Sequence, residues 1–510
     1  MAIINRIAAF VEDMRAWRHD IHQHPELAYE EHRTGGRVAE LLREFGVDEV
    51  AEGIGKTGVV GVIRNGEGPA IGLRADMDAL PIVELTGVPH QSVNDGVMHA
   101  CGHDGHTSML LGAAKYLTET RNFSGTVVLV FQPAEEGPPE GEDGGARMMV
   151  AEGALANPIP DAIFGLHVGT RDPGTLHYAK GPMLASADII RIHVMGKQTH
   201  GASPWNGVDP IVTASQIVLA LQTIHSRQID TRQPSVISIG SIHGGVRNNI
   251  IPEEVHLVGT MRTHDEQTRA KIKTLIRRTV THIAQSAGAT ATVRFDQEIP
   301  VAYNEPDLVA RMVPTLERMV GAGNTIETPP VMGYEDFSYF QQEVPGMFVF
   351  LGARPPGVPQ DKAASNHSPR FVIDEAVLKT GVRTLANLAL DYLHGNWVFS
   401  LSGERGAGDV ADGGVDTLPA GLAGEVETEP VVEGRAAQQQ MFQRGRQHGH
   451  DGPRARPARP GAGHHRRHHR EGTFRAQPRH GLGQRVARDR FPGDDGAGQR
   501  AVAEVRDMAA

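Results

Sequence analysis

Apolar residues recur at three- to four-residue spacing over residues 4–20 and 30–46, which predicts two helices at the start of the chain. The pattern then changes. Val59–Ile63 and Ala70–Arg74 are short apolar runs of the kind that form strands, and His106–Glu119 returns to helical spacing. Thr126–Gln132 (TVVLVFQ) is a continuous apolar run fit for a buried strand. A helix over Gly145–Glu152 and a strand over Ala162–His167 follow. This alternation predicts an α/β fold, a mostly parallel sheet covered by helices. Ligands and catalytic groups in such sheets collect beyond the C-terminal strand ends. Asp76, the pair Glu135 and Glu136, and His167 all fall at such ends.

Residues 186–298 have a different order. Strands over Ala187–Met195, Val236–His243, Glu254–Thr263 and Ala289–Asp296 interleave with helices over Val208–Arg227 and Glu266–Ser286. That is β-α-β-β-α-β, a self-contained, ferredoxin-like split βαβ unit. The α/β pattern resumes with a helix near Asp307–Val320, a strand over Met347–Gly352 and a closing helix over Asp374–Leu393. The predicted organisation is a larger domain of residues 1–185 and 299–396, with a smaller domain of residues 186–298 inserted into it.

Composition divides the chain again. From Ser400 to Ala510 there is no Lys, Ile, Tyr, Asn, Cys or Trp. Such a segment has too little apolar surface to offset its ordering entropy, so residues 397–510 read as a disordered tail. The missing Lys, Ile, Tyr and Asn have AT-rich codons, and a GC-rich gene read out of frame after about Trp397 would account for them. The net charge of −11 argues against general nucleic-acid affinity. No apolar run reaches the ~18 residues needed to span a bilayer. The first residues lack the pattern of a signal peptide. One cysteine in 510 residues fits a reducing cytoplasm.

That cysteine lies in His99-Ala-Cys101-Gly-His103-Asp104-Gly-His106. Thiolate and imidazole both bind borderline transition metals, and Gly102 lets the backbone turn tightly between them. A lone cysteine forms no internal disulfide and is left as ligand, nucleophile or apolar filler. Glu135 and Glu136 directly follow the buried strand, and adjacent like charges cost energy unless a cation compensates them. Neighbouring residues point in different directions, so one can bind metal while the other faces a reacting water. His167 ends a strand, and His367 lies in the turn Asn366-His367-Ser368-Pro369. Cys101, His103, Glu136, His167 and His367 together supply one thiolate, one carboxylate and three imidazoles. Shared between two divalent ions with Cys101 bridging, they leave room for a bridging water and suit attack on a hydrolysable bond. Taken singly, each has a plainer reading as core thiol, solvated acid or satisfied histidine. His19, His22 and His24 flank a helix end and read as structural.

The segments RADMDALPI (74–82), MHACGHDGHTSMLLGAA (98–114), FQPAEEG (131–137), FGLHV (164–168), HGASPWNGVDPI (200–211), NNIIPEEVHLVGTMRT (248–263), YEDFSYF (334–340) and NHSPRF (366–371) stand in family order. Over about residues 12–395 the chain resembles the metal-dependent amidohydrolases grouped with hippurate hydrolase, N-acyl-amino-acid amidohydrolases and indole-acetyl-amino-acid hydrolases. It is more distantly similar to aminoacylase and carboxypeptidase G. The resemblance implies a cytoplasmic homodimer with two divalent ions (Mn, Zn, Co or Ni) that cleaves the amide of N-acyl amino acids, without nucleic-acid or membrane partners. It implies that residues 1–185 and 299–396 are the metal-binding catalytic domain and residues 186–298 a dimerisation or lid domain. It implies metal ligation by Cys101, His103, Glu136, His167 and His367, and general acid/base work by Glu135. Asp76 matches the acid that supports a ligand histidine, with Arg74 two residues before it. His200 matches the histidine that reaches the partner subunit's active site and stabilises the oxyanion. Asn249 matches a nearby polar contact, and Arg262 a contact to the substrate carboxylate. Two departures stand out: the loop 138–145 is longer than in many relatives, and Trp205 occupies a position expected to hold histidine. The rival readings are a non-catalytic metal- or ligand-binding protein on the same scaffold and a scaffold role for the Arg-rich tail.

Overall fold

The computed structural model describes residues 3–395. The expected tail of residues 397–510 lies outside the described residues. The strands used below are β1 (Glu49–Ile54), β2 (Gly58–Asn65), β3 (Ala70–Asp76), β4 (Gly125–Gln132), β5 (Ala162–Gly169), β6 (Leu176–Tyr178), β7 (Ala187–Met195), β8 (Ser235–His243), β9 (Glu254–Thr263), β10 (Thr290–Ile299), β11 (Thr325–Glu327) and β12 (Gly346–Gly352). The fold is mixed α/β. The large sheet has the order β1-β2-β4-β3-β5-β12-β6-β11, with its centre, β4-β3-β5-β12, parallel throughout.

The apolar runs of the central strands are buried on both faces, and alternation divides them between two cores. Val127, Leu129 and Phe131 pack with the helices Val11–Gln23, His103–Thr120 and Leu378–His394. Val128 and Val130 face the other way, onto Ala146, Met149 and Phe337. A one-residue slip of β4 would exchange the two sets and set the carboxylates that follow it in the wrong direction.

Between β7 and β10 the chain builds a second sheet of order β8-β9-β7-β10, antiparallel at every pairing. Ile190, Ile192 and Val194 of β7 face the helices Pro210–Arg227 and Glu266–Ser286. Arg191 and His193 lie on the opposite face and are more exposed, as alternation in a sheet covered on one side requires. The helix expected over 4–20 is two helices, Ile3–Ala8 and Val11–Gln23, and the break turns Phe10 and Val11 into the core. No helix among the described residues is long and apolar enough to cross a membrane.

One buried ionic network fastens the Val11–Gln23 helix to the helix that starts at His103. Arg18 Nε lies 2.9 Å from Asp104 Oδ2, and Arg18 Nη1 donates to Glu375 at 2.6 Å. His22 donates from both ring nitrogens, to Asp104 at 2.9 Å and Glu84 at 3.2 Å. Burial disfavours the charge on His22, but the Asp104 carboxylate and these bonds outweigh it and hold its pKa at about 9. The folded value lies above the unfolded one of about 6.5, so the stability it contributes is complete below pH 6.5 and lost as pH rises through 9. Denaturant unfolding of wild type and His22→Gln between pH 6 and 9.5 is expected to show a wild-type advantage of a few kcal/mol that shrinks across this window. A difference independent of pH would mean that His22 folds neutral.

Candidate active site

The parallel register brings four separate segments together. Asp76 pairs with Gln132 at the ends of β3 and β4, and Phe350 of β12 pairs with His167 of β5. The strands that carry Asp76 and His167, and the strand that leads to Glu135 and Glu136, thus end on the same edge of the large sheet. The helix expected from His106 begins at His103, so His103 and His106 share its first turns. Gly102 precedes it at φ +91°, where a Cβ would sit 2.4 Å from Val168 Cγ2. Only glycine allows both the left-handed turn and the close approach to β5, and that approach sets Cys101 against His167.

Cys101 Sγ lies 3.3 Å from His167 Nε2. His167 donates its Nδ1 proton to the Val168 carbonyl at 2.7 Å, which leaves the Nε2 lone pair directed at the sulfur. On the other side of the thiol, Glu136 and His367 approach each other, with Nε2 to Oε1 at 3.0 Å. Two groups of possible ligand atoms result, each within 4.8 Å: Cys101, His103 and His167, and Cys101, Glu136 and His367. Cys101 belongs to both. His106 is closer to Asp76 than either group is, yet both of its nitrogens are occupied. It donates to Asp76 Oδ1 at 2.6 Å and accepts from Val168 N at 2.8 Å.

The site carries excess negative charge. Asp76, Asp78, Glu135 and Glu136 surround His103, with the nearest oxygens 3.3 to 4.0 Å from its ring nitrogens. Burial opposes charge on His103, but Asp76 and Asp78 overcome it and raise its pKa to about 10. Burial pushes the Cys101 thiol well up, and Glu136 and Glu135 push it further. Glu135 is likewise pushed well up by burial, then by Glu335 and Glu136. Arg74, fully buried, partly offsets this charge. Its Nη1 lies 2.8 Å from Asp76, its Nη2 2.9 Å from Glu335 and 3.2 Å from Asp336, and its Nε donates to Gln132 at 2.8 Å. Both His103 nitrogens, Asp78 Oδ1 and Glu136 Oε1 are buried with only ion-pair contacts, His103 to Asp78 at 3.3 Å and His367 to Glu136 at 3.0 Å, and no well-aligned hydrogen bond. A thiol, imidazoles and a carboxylate, with buried atoms short of hydrogen bonds and uncompensated negative charge, are the donor set and charge balance that divalent transition metals fit.

Two backbone positions at the site are strained. Ala134, just before Glu135, has φ +48°, and His367 has φ +68°. Each costs roughly 1–3 kcal/mol. Ala134 N donates to the buried Glu31 at 2.9 Å, and His367 N to the Ala100 carbonyl at 2.8 Å.

A cavity of about 570 Å³ opens over Cys101, Glu135, Glu136, His167 and His367, and Arg262 lines it as well. The Arg262 guanidinium lies 4.7 Å over the Tyr334 ring. His200 and Asn249 are elsewhere. Both are exposed, His200 in a two-stranded ribbon opposite Ile250, and Asn249 at the adjoining turn, where its carbonyl accepts from Gly201 N at 2.8 Å. His200 Nδ1 accepts from Ala202 N at 3.0 Å, which leaves Nε2–H as an outward donor. Sequence reasoning passed over Asp78, Glu335, Asp336 and Asn366. Asp78 accepts from Glu136 N at 2.9 Å, and Asn366 donates to the Cys101 and Val168 carbonyls at 3.1 and 3.2 Å. Their one signal was position: all lie inside the quoted segments, Asn366 directly before His367 and Asp78 two residues after Asp76.

Residues 72–391 match the model of peptidase family M20/M25/M40. Thermostable carboxypeptidase 2 of Saccharolobus solfataricus is 42% identical over 401 residues, 77% of this chain and 99% of the relative. Hippurate hydrolase of Campylobacter jejuni is 37% identical over 396 residues, 77% of this chain and 100% of the relative. Among solved structures, the YXEP protein of Bacillus subtilis, described as a dinuclear metal-binding peptidase of family M20, superposes with a TM-score of 0.65. It is 33% identical and covers 76% of this chain and 99% of its own. The chain belongs to peptidase family M20/M25/M40.

Proposed function

We propose that the protein hydrolyses the amide bond of N-acyl amino acids, releasing a carboxylic acid and an amino acid. One observation carries this reading: two triads of metal-ligating side chains share Cys101, and Glu135 lines the same cavity with its Oε2 4.0 Å from His103 Nε2. The hippurate hydrolase relative supports the substrate class. In this reading Cys101, His103 and His167 hold one divalent ion, and Cys101, Glu136 and His367 the other. Bound there, the ions lower the pKa of water and polarise the acyl carbonyl.

The chain's own residues do the rest. Glu135 takes a proton from the attacking water as the C–O bond forms. It returns that proton to the amide nitrogen as the C–N bond breaks, so the amine leaves neutral. The raised affinity of Glu135 for a proton suits it to both steps. Asp76 and Arg74 position this machinery through His106 and Gln132. Arg262 faces the cavity as a receptor for the substrate carboxylate.

His200 does not reach the cavity of its own chain, so the same reading needs a second copy. We infer a homodimer in which residues 186–298 carry the contact and His200 donates to the oxyanion in the partner's site, with Asn249 beside it. Three features support this. Strand β8 is an unpaired edge of its sheet. Val212 and Leu219 on the neighbouring helix are 55% and 72% exposed, and Trp205 is 77% exposed. An oxyanion donor of this kind is worth about 3 kcal/mol.

Glu135→Gln is expected to lower kcat on N-acyl amino acids by at least about 100-fold, with metal content by mass spectrometry unchanged. Activity near wild type would remove Glu135 from the proton path, and inactivity of wild type itself would favour a binding protein. His200→Ala is expected to be nearly inactive with metal retained. Mixing it with Glu135→Gln, under conditions where subunits exchange, should restore up to about a quarter of the wild-type sites, because half the dimers are then hybrids with one intact site. No recovery would place His200 in the service of its own chain or outside catalysis.

A further inference from the structure

We propose that the cavity receives a substrate with two anionic groups, and that Arg171 binds the second. The proposal rests on the amide-hydrolase reading and narrows its substrate class. Two guanidiniums line the cavity, Arg262 from β9 and Arg171 just beyond the end of β5. Neither has a carboxylate partner among the described residues. In each case the acid nearby is engaged elsewhere. Asp172, next to Arg171, is bound by Arg354. Asp188, the acid that acts on Arg262, is held by Arg269 at 2.8 and 2.9 Å and by Lys273 at 2.6 Å. Arg262 Nη1 is buried with no hydrogen-bond partner. The contact found for the Arg171 guanidinium is the face of Phe350, 5.0 Å away.

A half-buried arginine placed for structure is normally paired, because an unpaired charge out of water is costly. Arg18, Arg74 and Arg269 of this protein obey that rule. Arg171 and Arg262 break it, and they break it in the same cavity. Any N-acyl amino acid brings one carboxylate, which compensates one of the two. The remaining guanidinium calls for a second anion. Arg171 and His167 line the same cavity, so that anion and the reacting bond are held within it together. The carboxylate has two possible sources in such a molecule: an acidic amino-acid side chain, or a dicarboxylic acyl group.

Isosteric pairs offered to the full-length, metal-loaded enzyme test this: N-acetylglutamate against N-acetylglutamine, and N-succinylleucine against its terminal amide, N-succinamoylleucine. The doubly charged member of one pair is expected to have a kcat/KM about 10- to 100-fold higher. Arg171→Met should abolish that preference, and Arg171→Lys should retain most of it. If the methionine variant does not fold, Arg171→Gln is read the same way. Calorimetry with Glu135→Gln measures the affinity for the same four compounds without turnover. A preference in the first pair assigns the second anion to the amino acid, and one in the second pair to the acyl group. Equal values within both pairs, or a preference that survives loss of Arg171, overturns the proposal. Charge-dependent binding to Glu135→Gln with no hydrolysis by wild type would uphold the anion site and sink the amide-hydrolase reading instead.

Discussion

The structure turns on a concentration of buried negative charge. Asp76, Asp78, Glu135, Glu136, Glu335 and Asp336 converge at one edge of the sheet, around a thiol and away from water. Buried Arg74 touches Asp76, Glu335 and Asp336, and buried His103 lies among Asp76, Asp78, Glu135 and Glu136, and these two cations do not balance six acids. Burial first and this surplus second displace the proton affinities of Cys101 and Glu135 upward, and the surplus raises that of His103 against the effect of burial. Divalent cations would resolve it. The protein has traded stability for a site that is complete only with its metals.

The fold holds these groups in place against their repulsion. Asp76 and His167 sit at strand ends and Glu135 and Glu136 in the turn after one, while His103 opens a helix and Cys101, Glu335, Asp336 and His367 lie in loops; the strands are locked by two cores on opposite faces of the sheet. Gly102 lets the Cys101 loop lie against β5, and the Arg18–Asp104–His22 network fixes the helix that carries His103. Positioning is therefore distributed over backbone register, one glycine and one ionic network, and the ligand side chains themselves need few direct supports.

Much of this was legible in the sequence. Long, strongly patterned runs such as Thr126–Gln132 and Glu266–Ser286 announced their elements, and the β-α-β-β-α-β order read directly. The segments around Cys101, Glu135, His167 and His367 pointed to side chains that the structure brings to one cavity. Other features were not legible. The short edge strands β6 and β11 have three residues each, too few for a period to register. The start of the helix at His103 was missed because Gly102 acts through a left-handed φ, which only the fold requires. Nothing local singled out Asp78 or the Glu335–Asp336 pair, because their roles depend on partners far along the chain, His103 and Glu136 for Asp78 and Arg74 for the pair. His200 could be assigned by resemblance alone, since its own chain places it away from the cavity.

The central claim is that one thiolate serves two metal sites at once. Equilibrium dialysis of metal-free wild type and Cys101→Ser against Mn²⁺ or Zn²⁺, with metal per chain counted by mass spectrometry, tests it most directly. The account predicts two ions per wild-type chain, and a loss of affinity of about 10- to 100-fold at both sites together in the serine variant. Two ions bound with unaltered affinity, or one site lost while the other keeps its wild-type affinity, would contradict a shared Cys101 ligand.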